Sequence, residues 1–286
     1  MNDMPTAAPG AAPPFLVPFR GHGRVLHGRG ARGIVRRIVQ SGAHIWPRQP
    51  LSAADGDAGV ALWLARLDDF DPDVCAAALD AADTARATAI VDPDTRRRAV
   101  VSRGLLRRLL AAHIGVRPEA LRLSTAEHGR PVLEDGDADG APLQFNLSHS
   151  GGWWLCATAS GPVGVDLEMA GREVDTARLA GRVFTPGEQA ALQLAAGDEA
   201  AVRGVFLDCW TRKEALLKAL GTGFAGGARG FHVGPGPGDT LVATPGHAVA
   251  ALRVRSLSLP FDAHAAIACA PSVADFGRVW LQGDGA

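Results

Sequence analysis

Lysine is nearly absent from this chain. Of its 29 lysines and arginines only Lys213 and Lys218 are lysine, and both fall in one run, Trp210-Thr211-Arg212-Lys213-Glu214-Ala215-Leu216-Leu217-Lys218-Ala219. Cysteine is scarce too. The four, Cys75, Cys156, Cys209 and Cys269, stand far apart in apolar surroundings, which argues against a disulfide frame or a zinc site and reads as small core residues in a reducing cytoplasm. No apolar run approaches membrane-spanning length, and a net charge of −1 supplies no global field for nucleic acid. Acidic residues are nearly missing from residues 1–50, which hold seven arginines and one acid, Asp3. With Pro5, Pro9, Pro13, Pro14, Gly21 and Gly23 interspersed, this stretch reads as a flexible arm carrying a short helix over Gly33–Val39. A transit peptide is the competing reading.

A chain that uses arginine for almost every other positive charge retains lysine at two neighbouring sites. Lysine is a compact point charge on a flexible stem, suited to a phosphate, whereas arginine presents a wide planar fork. Glu214 and Lys218 are i,i+4 neighbours on one helix face, and a plain surface ion pair is the alternative reading. Upstream, Val163, Val165 and Leu167 alternate with Gly164, Asp166 and Glu168, the pattern of a strand with one apolar face. Asp166 and Glu168 then share the opposite face, two residues apart. With Glu214 they make three oxygen ligands of the kind that suits Mg²⁺, which takes few protein carboxylates and fills its other positions with water and phosphate; a solvated edge strand is the alternative. A third segment, Gln144-Phe145-Asn146-Leu147-Ser148-His149-Ser150-Gly151-Gly152, reads as a strand running into a turn, with Ser148 and His149 at a mouth where an anion could be met.

Phe145-Asn146-Leu147-Ser148-His149-Ser150, Val163-Gly164-Val165-Asp166-Leu167-Glu168 and Trp210 through Gly221, in that order, resemble the 4′-phosphopantetheinyl transferases of the long, single-chain Sfp-like group. Smaller pieces agree: Gly129-Arg130-Pro131, the stretch Arg182 to Glu188, the helix around Ser102–Arg107, and, loosely, Asp83 through Arg86 to Ile90. The resemblance covers roughly residues 60–225. It implies transfer of the phosphopantetheine arm of coenzyme A to a serine of an apo acyl or peptidyl carrier protein, with adenosine 3′,5′-bisphosphate as by-product. It implies that Asp166, Glu168 and Glu214 hold Mg²⁺ (or Mn²⁺), that Glu214 is the base for the carrier serine, and that Lys218 meets the pyrophosphate. Lys213, Ser148, His149, Arg130 and Arg86, with Asp166 and Lys218, would contact coenzyme A. Two departures stand out: Arg130 where the family has lysine, and Thr95 where it has aspartate.

At 286 residues the chain can bury one large core or two smaller ones. The segregation of predicted strands and helices indicates α+β. The family fold implied is two similar α/β halves in a pseudo-twofold arrangement, here 51–161 and 162–286, with the active site between them and the protein a monomer. One Ala-rich helix is expected within Pro72–Ile90, a long one over Thr95–Ile114 and another over Ala200–Leu220 capped by Gly221. On the last, Lys213 falls inside the apolar arc, a costly place without an anion to receive it; a bound phosphate would serve. Two other functions remain open: a non-catalytic coenzyme A- or carrier-binding module, and a Mg²⁺-dependent nucleotide phosphohydrolase.

Overall fold

The computed structural model describes residues 35–39, 59–125, 130–134, 143–223, 227–273 and 276–283. Strands β1 (Val35–Val39) and β2 (Val60–Arg66) precede helices α1 (Pro72–Ala76), α2 (Ala81–Thr88) and α3 (Pro93–Ile114). A hairpin of β3 (Leu123–Thr125) and β4 (Pro131–Leu133) leads to β5 (Gln144–Ser150), β6 (Trp153–Ala159) and β7 (Val163–Met169). Helices α4 (Thr176–Val183), α5 (Pro186–Leu194) and α6 (Glu199–Leu220) follow, then β8 (Thr240–Ala243), β9 (Ala251–Ser256), β10 (Ala263–Cys269) and β11 (Gly277–Gln282).

The strands form two main sheets, ordered β1-β11-β2-β6-β5 and β7-β10-β9-β8. Strand alternation assigns each sheet two faces. On β2 and β6, Trp63, Ala65, Trp154 and Cys156 pack under Val101, Leu105, Leu106 and Leu109 of α3. The alternate residues Leu62, Leu155 and Ala157 pack instead on Val163, Val165 and Leu167 of β7 and Ile267 of β10. The far face of the second sheet, with Val254, Ala266 and Ala268, lies under Ala215, Leu216 and Ala219 of α6. The order is therefore helix, sheet, sheet, helix, with a 22-residue helix outside each sheet. This is the expected α+β arrangement of two similar halves.

The expected long helix of the first half and the capped helix of the second are both found. Asp92 caps α3 by accepting from Thr95 N–H, and α6 runs from an Asp198 cap to Gly221, whose φ of 73° is the left-handed conformation glycine adopts cheaply. All four cysteines are buried and free. The Ala-rich helix expected within Pro72–Ile90 is α2, and the shorter α1 precedes it: Asp71 and Asp80 each cap a start, and an aspartate that turns its side chain onto the backbone favours a helix end over a helix middle. Two expectations need correction. Val35–Val39 is not helical. It pairs in parallel with β11, and the β-branched Val35, Ile38 and Val39 favour that state; the rest of residues 1–50 lies outside the described residues. Finally, β11 follows every element of the second half yet pairs in parallel with β2, so the chain returns to complete the first sheet.

Close approach of α6 to β7 depends on Gly164. A Cβ there would lie 2.1 Å from the Ala215 carbonyl oxygen and 2.5 Å from the Ala219 nitrogen, both backbone atoms. Gly164→Ala is expected to destabilise the protein by about 1–3 kcal/mol through overpacking; the urea midpoint reads it, and an unchanged midpoint would show that the helix can lift freely.

Candidate active site

Strand β7 is an edge of its sheet, with β10 on its only paired side. The N–H groups of Val165, Leu167 and Met169 point away from β10 and need partners. They find them on β5, the neighbouring edge of the other sheet. Asn146 Oδ1 accepts from Val165 N–H at 2.9 Å, Ser148 Oγ from Leu167 N–H at 3.2 Å, and Ser150 Oγ from Met169 N–H at 3.1 Å. The two hydroxyls also donate to carboxylates of β7: Ser148 to Asp166 Oδ1 at 2.9 Å, and Ser150 to Glu168 Oε2 at 3.0 Å. A polar ladder with the period of a strand thus joins the two halves at the site.

Asp166 is 4% exposed, so the solvated-edge reading of this strand fails. Its Oδ1 also receives Lys218 Nζ at 2.7 Å, and the same ammonium donates to Val165 O at 3.2 Å. Its Oδ2 is buried without a hydrogen-bond partner. An orphaned anionic oxygen in the interior is costly, and a cation is the partner it suits. Glu168 turns its other oxygen to Arg172. Burial and the Asp166 charge raise the Glu168 carboxyl above its ordinary value. Glu214, on the turn of α6 before Lys218, is pushed up to about 7, by burial first and then by Asp166. The three predicted carboxylates therefore act on one another. Among the described residues no three His, Cys, Asp or Glu side chains stand together in ligating geometry, and one Glu168 oxygen is engaged by Arg172. The donor set of hard oxygens, the unpartnered Asp166 Oδ2 and the mutual repulsion of the carboxylates together fit a hard divalent cation.

His149 is exposed on β5. Desolvation of its ring and the Lys218 ammonium hold it below its ordinary value. Arg130 reaches the end of α6, where Nη1 donates to the Lys218 carbonyl at 3.4 Å and Nε is buried without a partner. That is a positive charge at a helix C-terminus with donor capacity to spare; Gly129 lies outside the described residues.

Three other predicted contacts are placed elsewhere. Lys213 is 1% exposed, and its ammonium is spent on the Ala228 and Phe231 carbonyls and on Glu188 at 2.9 Å. It has three N–H donors and three acceptors, so the anion that admits lysine to this core is Glu188 of α5, not a phosphate. Burial alone would raise Glu188, but the Val233 N–H and Lys213 hold its carboxyl below the usual range. Arg86 pairs with Asp83 at 2.6 Å, a carboxylate shared with Arg103 and Arg107 of α3, so it serves the packing of α2 on α3. The Ser148 hydroxyl is buried and turned to Asp166. Around Thr95, Asp92 caps α3 by accepting the Thr95 N–H, while Arg97 and Arg98 pair with Asp68.

Sequence reasoning did not single out Asn146 and Ser150, which tie β5 to β7, nor Glu188, which receives Lys213, nor Arg172 beside Glu168. The first two had a signal, since polar residues recur at every second position of β5.

Comparison with known proteins agrees with this geometry. The model of the 4′-phosphopantetheinyl transferase superfamily matches residues 162–269, and that of the 4′-phosphopantetheinyl transferase N-terminal region matches residues 63–161. The chain is 35% identical over 185 residues to the 4′-phosphopantetheinyl transferase HetI of Nostoc sp., covering 64% of this chain and 77% of that protein. It is 32% identical over 122 residues to the 4′-phosphopantetheinyl transferase Sfp of Bacillus subtilis, covering 42% of this chain and 50% of Sfp. Against the 4′-phosphopantetheinyl transferase gsp of Aneurinibacillus migulanus it is 32% identical over 126 residues, or 44% of this chain and 49% of gsp. The matches thus span between about half and three quarters of these relatives' lengths. Among the described residues no helix is long and apolar enough to cross a membrane. With both halves matched by the family's models and the motif residues of the second half gathered around Asp166, this chain belongs to the 4′-phosphopantetheinyl transferase superfamily.

Proposed function

We propose that the protein transfers the 4′-phosphopantetheine arm of coenzyme A to a serine hydroxyl of an apo carrier protein and releases adenosine 3′,5′-bisphosphate. The observation that supports this most is the buried, unpartnered Asp166 Oδ2 beside Lys218 and Glu214, in a chain of this family. In the proposed reaction the serine oxygen forms a bond to the phosphorus that carries pantetheine. The bond from that phosphorus to the bridging oxygen of the pyrophosphate breaks, and the serine proton is taken up. Phosphoryl transfer of this kind needs positioning and charge stabilisation more than covalent help from the enzyme.

Asp166, Glu168 and Glu214 are the residues that would hold Mg²⁺ or Mn²⁺. Such a cation, when bound, neutralises charge on phosphate oxygens and orients the reacting groups. Glu214 accepts the serine proton, directly or through a water; its raised carboxyl places it near the pH at which a general base works best. Lys218 balances charge gathering on the leaving bisphosphate, held in place by Asp166 and the Val165 carbonyl. Arg130, with an unspent Nε–H, and the exposed His149 supply phosphate contacts near Lys218. Lys213, Arg86 and the Ser148 hydroxyl are not needed for these contacts.

Intact-protein mass spectrometry of an apo carrier incubated with this protein, coenzyme A and Mg²⁺ tests the reading. A phosphopantetheine mass gain that disappears with EDTA is expected. Absence of any gain across fatty-acid, polyketide and peptide carriers, with coenzyme A still bound, would overturn it in favour of a binding module.

A further inference from the structure

The ladder between β5 and β7 has three rungs, and they are not equivalent. All three accept a β7 backbone N–H, but only Ser148 and Ser150 also donate to a carboxylate. Resting on the function proposed above, we propose that Ser150 is a positioning residue, whose hydroxyl holds Glu168 in the orientation from which it can serve a divalent cation.

Glu168 is pulled in two directions. Oε2 is held on the β5 side by Ser150, and Oε1 is held by Arg172, whose side chain is 44% exposed. A glutamate has three side-chain torsions to immobilise, at a cost of up to about 2 kcal/mol in rotamer freedom. The Ser150 hydroxyl offsets that cost from within the frame of the sheets. It is itself fixed, because the Met169 N–H donates to it at 3.1 Å and leaves its own proton no better acceptor than Glu168. Without the hydroxyl, Arg172 is the remaining hold on the carboxylate and draws it toward the solvent rim. Glu168 already carries the repulsion of Asp166, which favours the same outward swing. Ser148 repeats the arrangement for Asp166, but there Lys218 gives a second inward hold on the same oxygen. Ser150 is thus the rung on which the position of a carboxylate depends most.

Asn146 is the built-in control. It makes the same bond to the β7 backbone, at 2.9 Å to Val165 N–H, and no bond to a site carboxylate. The experiment is a Mn²⁺ titration followed by electron paramagnetic resonance of the free ion, on the full chain and well below the melting temperature, for wild type and for Ser150→Ala, Ser150→Thr and Asn146→Ala. Loss of a group that orients a metal ligand costs about tenfold or more in metal affinity, so Ser150→Ala should raise the Mn²⁺ half-saturation by that factor. Ser150→Thr, which keeps the hydroxyl, should restore it. Asn146→Ala should lower Tm like Ser150→Ala, with the half-saturation in place. If wild type shows saturable binding and Ser150→Ala shifts no more than Asn146→Ala, Ser150 is only structural and this inference falls alone. If wild type shows no saturable Mn²⁺ binding, the metal reading falls and takes this inference with it.

Discussion

Glu214→Gln should lower the rate of carrier modification by about 10² to 10⁴, the range for loss of a general base, without lowering thermal stability. The second half of that expectation is the more discriminating. Glu214 is half-buried near Asp166, and its carboxyl is pushed up to about 7 from an ordinary value near 4.5. A folded-state value above the unfolded one means that stability is fully present below pH 4.5 and is lost as pH rises through about 7. Glutamine cannot ionise and escapes that loss. In EDTA, the Tm of the variant relative to wild type should therefore climb between those two pH values and then level off. A variant that loses activity and also melts lower at pH 8 would mark Glu214 as a structural residue. Near-normal turnover would remove it from the mechanism.

Much of this site was legible because it rests on local pattern. Val163, Val165 and Leu167 fix the apolar face of β7 and so place Asp166 and Glu168 together. The helical spacing of Glu214 and Lys218, and the glycine cap after Leu220, fix the face and end of α6. What was not legible depends on partners distant in sequence. Lys213 inside an apolar arc was a correct sign of a missing anion, but Glu188, 25 residues earlier on another helix, satisfies it. A pattern can show that a charge must be met; only packing shows by whom. The polar positions of β5 show the same limit. Asn146, Ser148 and Ser150 alternate as a solvent-facing strand would, yet the first two are buried, because the unpaired N–H groups of the β7 edge need acceptors and the side chains supply them. The division into halves was visible; the return of β11 to the first sheet was not, since a parallel pairing with β2 leaves no mark on either strand alone.

The corrected role of Lys213 carries the largest expected effect on stability. Its ammonium, Glu188 and the carbonyls of Ala228 and Phe231 form a closed set at the junction of α5, α6 and the segment before β8. Glu188 is fully buried and in turn accepts the N–H groups of Thr185 and Val233. Breaking a buried pair by removing one partner leaves an uncompensated charge and costs about 3–5 kcal/mol. Lys213→Met, similar in length and apolar, should therefore lower Tm by roughly 6–20 °C, given about 2–4 °C per kcal/mol for a fold of this size. The double variant Lys213→Met, Glu188→Met removes both charges and should recover part of that loss, because no ion is then stranded. If Lys213 instead met a phosphate of coenzyme A, Lys213→Met would weaken coenzyme A binding and leave Tm in place. A melting curve of the apo protein with a coenzyme A titration of the same variant separates the two. The position of Lys213 also explains why a structural lysine stands next to Glu214. Successive helical residues lie about 100° apart, so a side chain locked at 213, beside Arg212 locked onto Val233, Gly236 and Gly238, fixes the rotation of α6 about its own axis. Glu214 and Lys218 are thereby presented to Asp166, and the folded-in cation at 213 sets the direction of the two groups that the chemistry uses.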